Sequence, residues 1–101
     1  MTVQMIRFEV KEDSVPAVEA SLAKIVAGLD EQRPDGVHYA VGKLADGVTF
    51  VGILGFPDGT DNPLLALPAA RDYVESLPGW LVGDRPMPEP LSIVADHQVF
   101  G

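Results

Sequence analysis

No cysteine occurs among the 101 residues, which excludes disulfides, a thiol nucleophile and thiolate metal sites. That absence fits a reducing compartment, and a cytoplasmic location is expected. Basic residues are scarce: 7 lysines and arginines stand against 15 aspartates and glutamates, for a formal net charge of -8. A surface of that sign repels phosphate backbones, so nucleic acid is not an expected partner. No apolar run approaches the roughly 20 residues that span a bilayer. The start, Met1-Thr2-Val3-Gln4, lacks a basic region followed by an apolar stretch, so neither a membrane segment nor a signal peptide is expected. The usual signatures of chemistry are missing too. No Gly-rich loop runs directly into a helix N-terminus, no Gly-x-Ser-x-Gly occurs, and two histidines among scattered carboxylates give no metal-ligand spacing. No metal and no other cofactor is expected.

What is present is apolar pattern. At 47% hydrophobic and 22% charged, the chain has the composition of one globular domain spanning residues 1–101. Its most informative stretch runs from Val37 to Phe56, two apolar strands joined across Ala45-Asp46-Gly47-Val48. Asp-Gly between alternating apolar runs is a strong hairpin signal, because a two-residue type I′ turn needs positive φ at both central residues. A turn centred there sets Tyr39 opposite Leu54, Val41 opposite Gly52 and Lys43 opposite Phe50. One face then carries Val37, Tyr39, Val41, Lys43, Phe50, Leu54 and Phe56. The other carries His38, Ala40, Leu44, Val51 and Ile53, with Gly42 and Gly55. Both faces are largely apolar, so both should be covered.

The rest of the chain arranges itself around that hairpin. Val3 to Val10 alternates Ile6, Phe8 and Val10 with Met5, Arg7 and Glu9, the period of a strand. Asp13 or Ser14 can cap a following helix, with Pro16 in its first turn. Val15, Val18, Leu22, Ile25, Val26 and Leu29 then form one apolar stripe, with Glu19, Lys24, Asp30 and Glu31 on the water side. Arg33-Pro34-Asp35-Gly36 ends that helix. After the hairpin, Asn62-Pro63 reads as a cap and first residue of a short turn, and Pro68 begins a new segment. This second helix should run from Ala69 to Leu77, with Ala70, Tyr73, Val74 and Leu77 inward, and close at Pro78-Gly79. Three prolines in five positions before Leu91 require extended chain, and Leu91 to Phe100 reads as the last strand.

The order strand, helix, strand, strand, helix, strand is the ferredoxin-like βαββαβ plan, an α+β fold with two helices on one face of an antiparallel sheet. Two helices cover only one side. The other side exposes either Tyr39, Phe50 and Phe56 or Leu44, Val51 and Ile53, and an open apolar face of that size is rare on a monomer. A homodimer packed sheet against sheet is expected, burying roughly 1,500 Å² or more in total.

With this plan, the chain resembles the dimeric α/β-barrel superfamily, the group that includes antibiotic-biosynthesis monooxygenase-like proteins. The residues that carry the likeness are Ile6-Arg7-Phe8-Glu9-Val10-Lys11, Gly36-Val37-His38-Tyr39, Asp46-Gly47-Val48-Thr49-Phe50-Val51 and Asn62-Pro63-Leu64-Leu65-Ala66-Leu67-Pro68. The resemblance implies a homodimer whose two sheets form a barrel, and enclosed pockets for aromatic, polyketide or haem ligands. Some members oxidise aromatic substrates with oxygen and no added cofactor, some degrade haem, and many have no known reaction. The Asn, Trp and His set of the haem degraders is not matched here. Trp80 lies beyond the expected second helix, and Ile6 occupies the place of the Asn. The implied function is cofactor-independent oxygenation of a small aromatic or hydrophobic compound, with non-catalytic ligand binding or regulation by the same homodimer as the alternative.

Tyr39 and His38 are alternative catalytic candidates. A phenol at position 39 can donate a proton to a phenolic substrate or take one from it, or it can simply sit at the core edge with its hydroxyl on a carbonyl or water. His38 points to the opposite face of a regular strand, so the two cannot form a direct dyad. It borders small residues at Gly42 and Gly55, which leave room for a cavity or an interface. Arg7, Tyr73, Trp80 and His97 are candidates for lining a pocket. Each also has a structural reading: an ion pair for Arg7, core or interface for Tyr73 and Trp80, an exposed edge or dimer contact for His97.

Overall fold

The computed structural model describes residues 1–99. It is α+β: a four-stranded antiparallel sheet with two α-helices, in an arrangement compatible with the ferredoxin-like plan. The elements are β1 (Thr2–Glu9), α1 (Val15–Gln32), β2 (His38–Lys43), β3 (Thr49–Phe56), α2 (Pro68–Trp80) and β4 (Glu89–Pro90). The strands lie in the order β2-β3-β1-β4, so β2 and β4 are the edges. No helix is long and apolar enough to cross a membrane among the described residues.

The hairpin register is the one its Asp-Gly centre predicts: Tyr39 faces Leu54, Val41 faces Gly52 and Lys43 faces Phe50. The turn itself differs. Only Gly47 has positive φ (78°), and Asp46 does not. The Leu44 N–H donates to the Thr49 carbonyl, closing a four-residue loop in place of a two-residue type I′ turn. A loop of residues 45–48 and a turn of 46–47 share one centre, which is why the register survives the change. Asp46 holds the loop by accepting from the Val48 N–H (3.0 Å), the Thr49 N–H (2.9 Å) and the Thr49 hydroxyl (2.6 Å). These bonds, the Thr49 hydroxyl foremost, keep its carboxyl below the ordinary carboxylate range.

The helices cover the face that carries Tyr39, Val41 and Phe50. Phe8, Val18, Ile25, Phe50, Ala70 and Leu77 meet in one core, with Phe8 and Phe50 stacked at a centroid distance of 5.5 Å. Leu44, Val51 and Ile53 therefore look away from the helices. Helix α1 buries Val18, Leu22 and Ile25 as its stripe predicts, while Val26 is 40% exposed. No side chain caps it. A 3-10 turn at Glu12–Ser14 leads in, with Ser14 in the right-handed helical region and its hydroxyl not bonded to the first turn. At the far end Arg33 takes φ 45°, since the residue before Pro34 is pushed out of the helical region.

Helix α2 begins at Pro68, after a 3-10 turn at Pro63–Ala66 whose cap is the Asn62 side chain accepting from the Leu64 N–H. It does not end at Pro78-Gly79 but continues to Trp80. Proline has no N–H for the carbonyl four residues back, and that carbonyl, on Val74, accepts from Arg85 Nη2 at 3.4 Å. Lys11 secures the end of the helix, donating from Nζ to the Gly79 carbonyl and from its backbone N–H to Trp80. Val74, expected inward, is 45% exposed.

The last strand is also displaced. Strand β4 spans only Glu89–Pro90, with one further bond to β1 from the Leu91 N–H to the Val3 carbonyl, and residues 91–99 have no regular structure; Phe100, the end of the expected strand, lies outside the described residues. In the observed register Gln4 faces Pro90, so β1, which starts at Thr2, offers no partner beyond Ser92. On the other side, prolines 86 and 88 supply no ladder donors.

Candidate functional site

A cavity of about 450 Å³ lies between the sheet and the helices. Its floor is Ile6 and Phe8 of β1, Val41 of β2 and Leu54 of β3, and its roof is Leu22 and Ile25 of α1 with Ala70 of α2. Gly52 lines the floor between Ile6 and Val41 with no side chain of its own. A Cβ there would stand 3.2 Å from Ile6 Cγ2 and 3.6 Å from Val41 Cγ2. Ala70 leaves similar room above.

The polar residues of the lining are the phenols Tyr39 and Tyr73, with Gln4, Asn62, Arg71 and Glu75. Burial pushes the Tyr39 phenol up to about 12. Burial also raises Tyr73, and the neighbouring Tyr39 oxygen adds to the rise, because ionising one phenol opposes ionising the other. At neutral pH both are protonated hydrogen-bond donors. Neither hydroxyl bonds to another described residue, and no buried side-chain N or O atom among them is left without a partner. Neither hydroxyl is therefore fully enclosed, and both belong to residues that line the cavity. Tyr73 is braced from behind by Trp80, ring centroids 6.2 Å apart, and by Phe8 at 6.4 Å.

A second, open cleft of about 900 Å³ follows the free edge of β2, between Val26, Leu29 and Arg33 of α1 and residues 98 and 99. His38 lines this cleft but not the inner cavity, whereas Tyr39 borders both. The two catalytic candidates thus share only the cleft.

Of the other candidates, only Tyr73 lines the inner cavity. Arg7 is exposed on the outer face, opposite Val51. Trp80, now the last residue of α2, packs on the core, and His97 is exposed in the irregular segment. Arg7, Trp80 and His97 line neither space. No group of three or more His, Asp or Glu side chains is placed to hold a metal among the described residues. Sequence reasoning passed over Gly52 and Arg71, which stands at the cavity mouth. The signal for Gly52 was available: it faces Val41 at a helix-side position where every other β3 residue from Phe50 to Phe56 is bulky. A scan of protein-family models finds none that matches this chain, and a search of curated proteins returns no relative, so the functional reading rests on the cavity.

Proposed function

We propose that this protein binds a small aromatic or hydrophobic compound in the cavity between sheet and helices, as a homodimer of dimeric α/β-barrel type. The observation that carries this reading is the cavity itself: about 450 Å³, lined by apolar side chains, with two neutral phenols facing in. That size lies within the roughly 300–1,000 Å³ of small-molecule sites, and a few convergent polar groups in an apolar wall are what fix a ligand's orientation. A ring bearing a hydroxyl or carbonyl satisfies both requirements. We expect 2-naphthol to bind, and Tyr39→Phe or Tyr73→Phe to weaken it by about 3–10-fold, the loss of one neutral hydrogen bond of about 0.5–1.5 kcal/mol. Isothermal titration calorimetry reads this directly, and equal affinity in wild type and both variants would contradict the assignment of the phenols.

A catalytic reading, cofactor-independent oxygenation, is favoured by the position of Tyr39 in the apolar space. With its pKa raised to about 12, Tyr39 is a poor base at neutral pH and a good donor to an anion. In this reading an acidic phenol or hydroquinone loses its own proton to water, and Tyr39 holds the resulting oxyanion while the ring carbon attacks oxygen. Oxidising the ring C–H para to the phenol oxygen to a quinone carbonyl consumes one O₂, whose second oxygen leaves as water with the ring and hydroxyl hydrogens, and so balances without an external reductant. Oxygen uptake coupled to substrate loss distinguishes catalysis from binding alone.

The homodimer is supported by the outer sheet face. Val51 and Ile53 are only partly covered there and Leu44 is 39% exposed. Pairing two such faces removes them from water. Light scattering at micromolar concentration should give twice the chain mass, falling to one chain in Val51→Asp/Ile53→Asp. A monomeric wild type would sink the dimer.

A further inference from the structure

We infer that the ligand is an amphipathic acid whose apolar body fills the inner cavity and whose carboxylate docks on Arg71 at the mouth; this rests on the cavity reading above. A carboxylate is costly in the interior: its walls are apolar, and the two phenols offer one donor each, enough for a single phenolate oxygen but not for the several acceptor sites of a carboxylate. An acid must therefore keep its charged end at the rim. There the lining includes one cation, Arg71, and one anion, Glu75.

Arg71 is exposed, and Nε donates to the Leu65 carbonyl at 3.3 Å. That bond ties the guanidinium to the 3-10 turn at the rim and leaves its terminal Nη groups to a ligand. Arg71 forms no ion pair among the described residues, although Glu75 is four residues on along the same helix. Arg85, bonded to the Val74 carbonyl, does not line the cavity. Arg71 is thus the one cation in the cavity lining of a protein of net charge -8. A guanidinium end with two donors matches the two oxygens of a carboxylate. A dianionic phosphate would meet stronger repulsion from Glu75 and from the overall negative surface.

Calorimetry with 2-naphthoate and 2-naphthamide separates charge from shape. Wild type should bind the naphthoate about tenfold more tightly than the amide at low salt, as expected for a hydrogen-bonded charge, with the preference shrinking as salt screens the exposed pair. Arg71→Gln should cost the naphthoate about tenfold and leave the amide within about twofold. Equal wild-type affinities, or equal losses for both probes in Arg71→Gln, overturn the inference while binding of the amide upholds the cavity reading. Failure of 2-naphthamide, 2-naphthoate and 2-naphthol alike to bind overturns both.

Discussion

Gly52→Val is expected to abolish ligand binding, lowering affinity for 2-naphthol by at least about 100-fold, while the protein stays folded. Gly52 forms the floor of the cavity, and a Cβ there already stands 3.2 Å from Ile6 Cγ2 and 3.6 Å from Val41 Cγ2. Two further methyl groups would occupy the space the ligand needs. A hundredfold loss corresponds to about 2.7 kcal/mol of binding free energy. The backbone offers no objection: Gly52 does not have positive φ, and a β-branched residue suits an inner strand. Replacing a strand glycine also narrows the unfolded ensemble, which offsets part of the strain. Gly52→Ala should give an intermediate loss. Unchanged affinity in a folded Gly52→Val protein, measured by calorimetry beside its thermal melt, would show that the ligand lies elsewhere.

The largest effect on stability is expected at Phe50. Its side chain is 2% exposed, on an inner strand, stacked on Phe8 with an interplanar angle of 12°. Truncation to alanine removes the transfer free energy of the ring, leaves a void against β1 and α1, and loses the stacking. Such changes cost about 3–5 kcal/mol, with roughly 0.5–1.5 kcal/mol of it attributable to the aromatic pair. Against a typical total stability of about 5–15 kcal/mol, this is a large fraction. Urea unfolding followed by Trp80 fluorescence should show the midpoint fall accordingly, with Phe50→Leu costing less because apolar volume is kept. A loss below about 1 kcal/mol for Phe50→Ala would mean that the core is not built on this ring pair.

The sheet was legible in the sequence to the extent that its determinants are local and symmetric. The hairpin register follows from the centre of the Asp46-Gly47 pair, and a four-residue loop with the same centre preserves it. The start of α2 was legible because Asn62, Pro63 and Pro68 act on their immediate neighbours. Its end was not, since the partners of its last carbonyls, Arg85 on Val74 and Lys11 on Gly79 and Trp80, come from distant parts of the chain. The last strand failed for a similar reason: Leu91 and Ile93 alternate as a strand does, but alternation cannot say that β1 has no further residues to pair. The site was half legible. Tyr39 and Tyr73 could be named as aromatics in amphipathic elements, yet their meeting in one space depends on Gly52 and Ala70 facing each other across two layers. Arg71 lies outside the inward set of the second helix, and its bond to the Leu65 carbonyl joins residues six apart.

The central claim, that a small aromatic compound occupies the space between sheet and helices, is tested most directly by an NMR titration of the ¹⁵N,¹³C-labelled protein with 2-naphthol. The largest shift changes are expected at Gly52, Val41, Ile6 and the Tyr39 and Tyr73 rings, saturating together. Saturable changes confined to Val51, Ile53 and Arg7 on the outer face, or no change anywhere, would contradict it.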